Sequence, residues 1–127
     1  MKERKVVMIE VIALVLICVV MGSFGQIYMK RGLKQSPLDL KDILSVKIFS
    51  TVFEPNVFIG LVLYILASVI WLTVLSKADV SYVYPMISLG YILTAFLAKF
   101  YFNENITILR WFGILLILGG VFLIAKS

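Results

Sequence analysis

The stretch that decides the fold is 77-KADVSYVYPMISLGYILTAFLAKFYF-102. From Val80 to Ala98 it carries no charge, and about 20 apolar residues are what a helix needs to cross a bilayer. A soluble helix of this length requires a polar face, and none is visible. Inside the span sits Pro85, flanked by Tyr82, Tyr84, Ser88, Gly90 and Tyr91. Proline removes a backbone donor and frees a carbonyl one turn back. In hydrocarbon that carbonyl needs a neighbouring helix, a hydroxyl or a water-lined cavity. A kinked, tyrosine-lined span therefore reads as the wall of a cavity. A packing kink with interfacial tyrosines is the other reading, since proline is frequent in membrane helices.

Composition sets the class. Of 127 residues, 62% are hydrophobic and 15% charged, with a mean hydropathy of +1.08. Soluble domains are nearer half apolar and a quarter charged. The expectation is an all-α polytopic membrane protein, one four-helix bundle occupying residues 1–127. Without histidine there is no His-based metal site or catalytic triad, and no metal, cofactor or nucleophile–base arrangement is expected. Cys18 has no partner and reads as a small buried apolar residue. The net charge of +5 does not suggest nucleic acid, because the basic residues flank apolar spans, where they meet lipid headgroups.

Four spans are expected, at about 6–29, 57–76, 80–102 and 106–125. The basic opening and apolar run also suit a signal peptide, but the run is long and no small-x-small cleavage site follows cleanly. Glu10, one turn inside the first span, reads as an interfacial ion-pair partner of Lys2, Arg4 and Lys5 in preference to a buried proton site. Gly22 and Gly25 thin this helix for close approach, and Gln26 needs hydrogen-bond partners. Lys30 and Arg31 lie at the membrane edge, as anchors or as headgroup ligands. Between the first two spans, Ser36-Pro37-Leu38-Asp39 resembles a helix start. Leu40, Ile43, Leu44, Ile48 and Phe49 then recur at helical spacing, so an amphipathic interfacial helix is expected over 36–50. Thr107 or Asn105 can cap the last span.

In the fourth span, Gly113 and Gly120 fall on one face, with Leu116 between them and Gly119 alongside. Small residues at this spacing let helices touch closely, as a dimer surface or against the chain's own bundle. Orientation is nearly balanced: five basic residues fall on the side of the termini and seven on the other. The larger count hints that the first and third loops face the cytoplasm, and the balance also permits antiparallel pairing.

The four-span plan, with Tyr28-Met29-Lys30 ending the first span and 113-GILLILGGV-121 in the fourth, resembles the small multidrug resistance family. The runs 81-SYVYPMISLGYIL-93 and 102-FNENITILRWFGILLILGGV-121 are more similar to EamA-type drug/metabolite transporters. Within these, Val83-Tyr-Pro-Met-x-Ser-Leu89 and Gly25-Gln-x-x-x-Lys30 resemble the small subunits of lipid-linked aminoarabinose flippases. The resemblance covers most of the chain outside the loop at 33–56. It implies a transporter of the bacterial inner membrane that moves an undecaprenyl-phosphate-linked sugar. It also implies a homodimer, or a heterodimer with a similar four-span protein, and a polyprenyl-phosphate glycosyltransferase as a further partner.

One departure from the family pattern is informative. Small multidrug antiporters carry a membrane-embedded glutamate in the first span, and counting back from Met29-Lys30 puts Gly22 at its position. No acid lies between Val11 and Pro37, so proton-coupled export of hydrophobic cations loses its carrier. A lipid-linked sugar flippase is the leading expectation. Gln26, Lys30, Arg31, Trp71, Tyr82, Tyr84, Pro85, Ser88 and Tyr91 are its candidate substrate residues, and Lys99 and Arg110 are further basic groups for a phosphate. A cation exporter with different coupling, using cation–π contacts, and a non-transporting accessory subunit are the alternatives.

Overall fold

The computed structural model describes residues 2–127. The chain opens with α1 (Lys2–Gln35), followed by a 3-10 turn (Leu40–Asp42), α2 (Lys47–Val52) and α3 (Pro55–Lys77). A broken segment comes next: α4 (Val80–Val83), a 3-10 turn (Pro85–Ser88) and α5 (Leu89–Phe102). The last helix is α6 (Ile108–Lys126). Four segments, α1, α3, Val80–Phe102 and α6, are long and apolar enough to cross a membrane. The protein is an all-helical, multi-pass membrane protein.

α1 outruns the expected first span at both ends. Its 34 residues extend about 51 Å at 1.5 Å per residue, well beyond a hydrocarbon core of about 30 Å. No breaker interrupts it before Pro37, whose ring disfavours helix at the preceding residue. Lys2, Arg4 and Lys5 at one end, and Lys30, Arg31 and Lys34 at the other, therefore bracket the apolar section.

The first loop differs from the expected continuous helix over 36–50. Ser36 and Pro37 lie outside any helix, and the segment breaks into a 3-10 turn and the short α2. Local side-chain bonds explain the break. The Asp42 carboxylate accepts from the Asp39 N–H at 3.0 Å, and the Ser45 hydroxyl donates to the Asp42 carbonyl at 2.9 Å. Such bonds compete with the helical ladder. Leu40, Leu44, Val46, Phe49 and Phe53 remain exposed, so the apolar character of the loop persists without one helix to carry it.

Helix starts follow their capping residues. The Glu54 carboxylate accepts from the Val57 N–H at 2.9 Å, with Pro55 in the first helical position of α3. The Thr107 hydroxyl accepts from the Arg110 N–H at 3.1 Å and starts α6. Glu10 does form an ion pair, but with Lys77 at 2.9 Å instead of with the N-terminal cations. On one helix only residues three or four apart are neighbours, and Lys5 is five away.

α1 is the central element, and it packs mainly against α3 and secondly against α5. At one end Val11, Val15 and Val19 of α1 meet Val74, Val83, Met86 and Val121 in a buried cluster. Further along, Gly25 and Gly60 bring two backbones together: a Cβ on Gly60 would stand 2.6 Å from the Gly25 carbonyl oxygen. Gly22, also expected to thin the helix, faces open space, and a Cβ placed on it would meet nothing within 4 Å. Besides the Lys77–Glu10 pair, two buried hydrogen bonds tie α1 to its neighbours, from Cys18 Sγ to the Ala67 carbonyl and from Ser23 Oγ to the Gly90 carbonyl, each 3.4 Å. Interhelical bonds in membranes average about 0.6 kcal/mol, so close packing contributes more than either bond. α6 is the outermost span, resting on the Pro85–Ser88 turn and on α5.

Candidate functional site

The Pro85 kink shapes the site. α4 ends at Val83, and the chain passes through a 3-10 turn before α5 resumes. The Ser88 hydroxyl donates to the Pro85 carbonyl at 2.5 Å, and the Ile87 N–H donates to the Tyr84 carbonyl at 3.1 Å. These bonds hold the 3-10 turn that follows the proline. Tyr84 is thrown outward, 63% exposed, with its ring edge-to-face against Trp71 at 6.4 Å between centroids.

Tyr84 and Trp71 lie towards one end of a cavity of about 700 Å³ lined by all four spans. From α1 it takes Gly22, Ser23 and Gln26, and from α3 Tyr64, Ser68 and Trp71. The third span adds Tyr84, Tyr91 and Thr94, and α6 adds Arg110 and Ile114. From Tyr84 to Ala98 the lining follows the third span for about 21 Å at helical rise. Its opposite end is bordered by the short connection after α5, which contributes the exposed Glu104. Half or more of Tyr64, Tyr84 and Tyr91 is exposed, so the cavity is open to one side of the bundle. No buried side-chain nitrogen or oxygen among the described residues lacks a partner. Polar groups able to meet a ligand are therefore those on the cavity wall.

The sequence-based candidates divide into two groups. Gln26, Trp71, Tyr84 and Tyr91 share the cavity. Tyr82 instead packs on the buried cluster, and its hydroxyl donates to the Ala125 carbonyl at 3.4 Å, which fastens α4 to the end of α6. Pro85 and Ser88 make the kink and do not line the cavity. Lys30 is exposed on α1 outside it, and Arg31 lines a separate cleft of about 360 Å³ with Tyr28 and Tyr101. Arg31 lies five residues beyond Gln26, on another face of α1, whereas Lys30, four beyond, shares the Gln26 face but lies a turn past the cavity lining.

Sequence reasoning passed over Tyr64, Ser68 and Thr94 as site residues, and it missed Glu104 altogether. A signal was present. Glu104 and Arg110 are the only charged residues between Lys99 and Lys126. Gly113, Gly119 and Gly120 have nothing within 4 Å of a Cβ placed on them, and Leu116 is 78% exposed. This glycine face of α6 does not serve packing within the chain.

Comparison with known proteins agrees with this architecture. The model of the EamA-like transporter family matches residues 5–126. A Pseudomonas fluorescens protein named "Probable 4-amino-4-deoxy-L-arabinose-phosphoundecaprenol flippase subunit ArnE" is 41% identical over 58 residues, 46% of this chain and 51% of the relative. The match thus spans about half the length of that protein. The protein of the same name from Pseudomonas aeruginosa is 30% identical over 115 residues, covering 91% of this chain and 96% of the relative. A flippase subunit named ArnF, from Serratia proteamaculans, is 32% identical over 110 residues, covering 84% and 85%. No solved structure matches the chain significantly.

Proposed function

The chain belongs to the EamA-like transporter family, and from that premise we propose that it is a flippase subunit for a polyprenyl-phosphate-linked sugar in the bacterial inner membrane. The observation that carries this reading is the cavity itself. It is long, open on one side, and lined by aromatic rings and neutral hydrogen-bonding groups, with charge only at one end. A sugar needs hydrogen-bond partners and flat apolar faces, which Gln26, Ser68, Thr94, Trp71 and Tyr84 supply. A prenyl chain needs no binding pocket, because lipid solvates it through the open side. Relatives named for the transport of lipid-linked aminoarabinose support the same substrate class.

The position that holds the coupling glutamate in multidrug antiporters is here Gly22, on the cavity wall with open space before it. Glu104 does not replace it, since it is exposed on a connection at the rim. A membrane-buried proton carrier needs a site within the apolar zone.

The open side and the free glycine face of α6 both support pairing with a second four-span chain, identical or similar. Gly113, Leu116, Gly119 and Gly120 are the contact residues of this proposal, since small residues allow two helices to approach. A partner there leaves the remaining three spans to line a shared path. The test is transport in proteoliposomes with a short-chain prenyl-phosphate aminosugar, measured as its accessibility to a membrane-impermeant amine reagent. Protein-dependent exposure that falls at least tenfold in Trp71→Ala and Tyr84→Ala supports the proposal. Exposure equal to that of protein-free vesicles contradicts it.

A further inference from the structure

Glu104 and Arg110 are placed against the electrostatics of their helices. Glu104 follows the C-terminus of α5, where the helix dipole presents negative charge. Arg110 lies in the first turn of α6, where the dipole is positive. Helix ends favour the reverse arrangement, so the fold does not account for either charge. Residues that break a local rule without a structural gain point to function.

The backbone nevertheless fixes both residues at the cavity. Asn103 adopts the left-handed conformation, φ 52°, and ends α5. The Asn103 N–H donates to the Ala98 carbonyl, and the Glu104 N–H reaches the same oxygen at 3.5 Å, so the chain folds back over the helix end. Three residues later the Thr107 cap sets the first turn of α6. Glu104 and Arg110 consequently both line the cavity mouth. They are not paired with each other. The ion pairs within 4.0 Å among the described residues are Lys47–Asp42 and Lys77–Glu10. An anchoring role would explain a lone arginine at the bilayer edge, but not a carboxylate that lines the same cavity.

We infer that this mouth is a zwitterion reader, in which Arg110 takes the phosphate and Glu104 the ammonium group of one aminosugar phosphate headgroup. The inference rests on the flippase reading and adds to it the residues that select a charged sugar over a neutral one. A guanidinium offers a fork of donors that fits phosphate oxygens. A carboxylate accepts from an ammonium, which a hydroxyl in the same place on the sugar does not match in charge. Trp71 and Tyr84, towards the other end, lie beyond the reach of a sugar ring held at this mouth and meet the headgroup at a different position along the cavity, so they do not read the amine. Selectivity for the amine therefore belongs to Glu104, and affinity for the phosphate to Arg110.

The experiment is a binding titration on the full chain in nanodiscs with three short-chain prenyl phosphates. One carries 4-amino-4-deoxyarabinose, one carries arabinose with a hydroxyl in place of the amine, and one carries no sugar. The wild type is expected to prefer the aminosugar lipid to the hydroxyl analogue by about tenfold. Glu104→Gln should bring that ratio close to one with little change for the hydroxyl analogue. Arg110→Gln should weaken all three probes by a similar factor and leave the ratio intact. A ratio that survives in Glu104→Gln, or a wild type indifferent to the amine, overturns the inference while leaving the flippase reading in place. A wild type that binds none of the three lipids overturns both. Helical content of each variant, measured by circular dichroism, separates loss of a contact from loss of the fold.

Discussion

Glu104 and Arg110 show at the scale of single residues how function and stability pull apart. Exchanging them, Glu104→Arg with Arg110→Glu, places each charge where its helix end favours it. Thermal unfolding in detergent should then show unchanged or slightly higher stability, with a few tenths to about 1 kcal/mol available at each helix end. Binding of the aminosugar lipid should fall sharply in the same variant. Glycines give the opposite kind of residue. A Cβ on Gly60 would meet the Met29 side chain and, at 2.6 Å, the Gly25 carbonyl, so α1 and α3 must separate to admit it. Gly60→Ala should therefore destabilise the protein by about 1–3 kcal/mol. Gly22→Ala, with nothing within 4 Å, should instead raise stability by up to about 1 kcal/mol, from the better helix propensity of alanine. Unfolding of both variants in one detergent checks the contrast.

The third span carries the main consequence at the scale of elements. Pro85 divides it into α4 and α5, and the division turns Tyr84 into the cavity beside Trp71. Pro85→Ala restores the missing donor and should let α4 and α5 fuse. Helical content by circular dichroism should hold or rise, while affinity for the aminosugar lipid drops several-fold. An unchanged affinity would mean that the kink serves packing alone. This element was legible in the sequence, because an uncharged run with one proline and clustered tyrosines has few other readings. The four spans were legible for the same reason. The first loop was not: Leu40, Ile43 and Leu44 keep helical spacing, but the side chains of Asp42 and Ser45 bond to the local backbone and break the helix. Lys30 and Arg31 were candidates because they end a span beside Gln26. Which face of a helix a terminal residue occupies depends on the neighbour that α1 meets, and spacing alone does not state it. Glu104 was hidden for a related reason, since only the left-handed turn at Asn103 folds it back over the cavity.

For the whole molecule, the open cavity and the unpacked α6 belong together. Of the strongly apolar window of α6 only 11% is buried within the chain, and a Cβ on any of its glycines would meet nothing within 4 Å. A bundle meant to act alone has no reason to leave its smallest surface outward. Gly119→Leu with Gly120→Leu should therefore abolish association, read by cross-linking in the native membrane, while the unfolding midpoint of the monomer in detergent stays the same. Persistence of the cross-linked dimer would move the interface to another face.

The central claim is that the four spans hold a phosphate-linked sugar lipid in this cavity. Native mass spectrometry of the full chain, released gently from its own membrane, tests it most directly. The account predicts a dimer carrying a species with the mass of a polyprenyl-phosphate sugar, and loss of that species in Trp71→Ala and Tyr84→Ala. A dimer carrying only ordinary phospholipids, or one that takes up hydrophobic cations in place of the lipid, would contradict it.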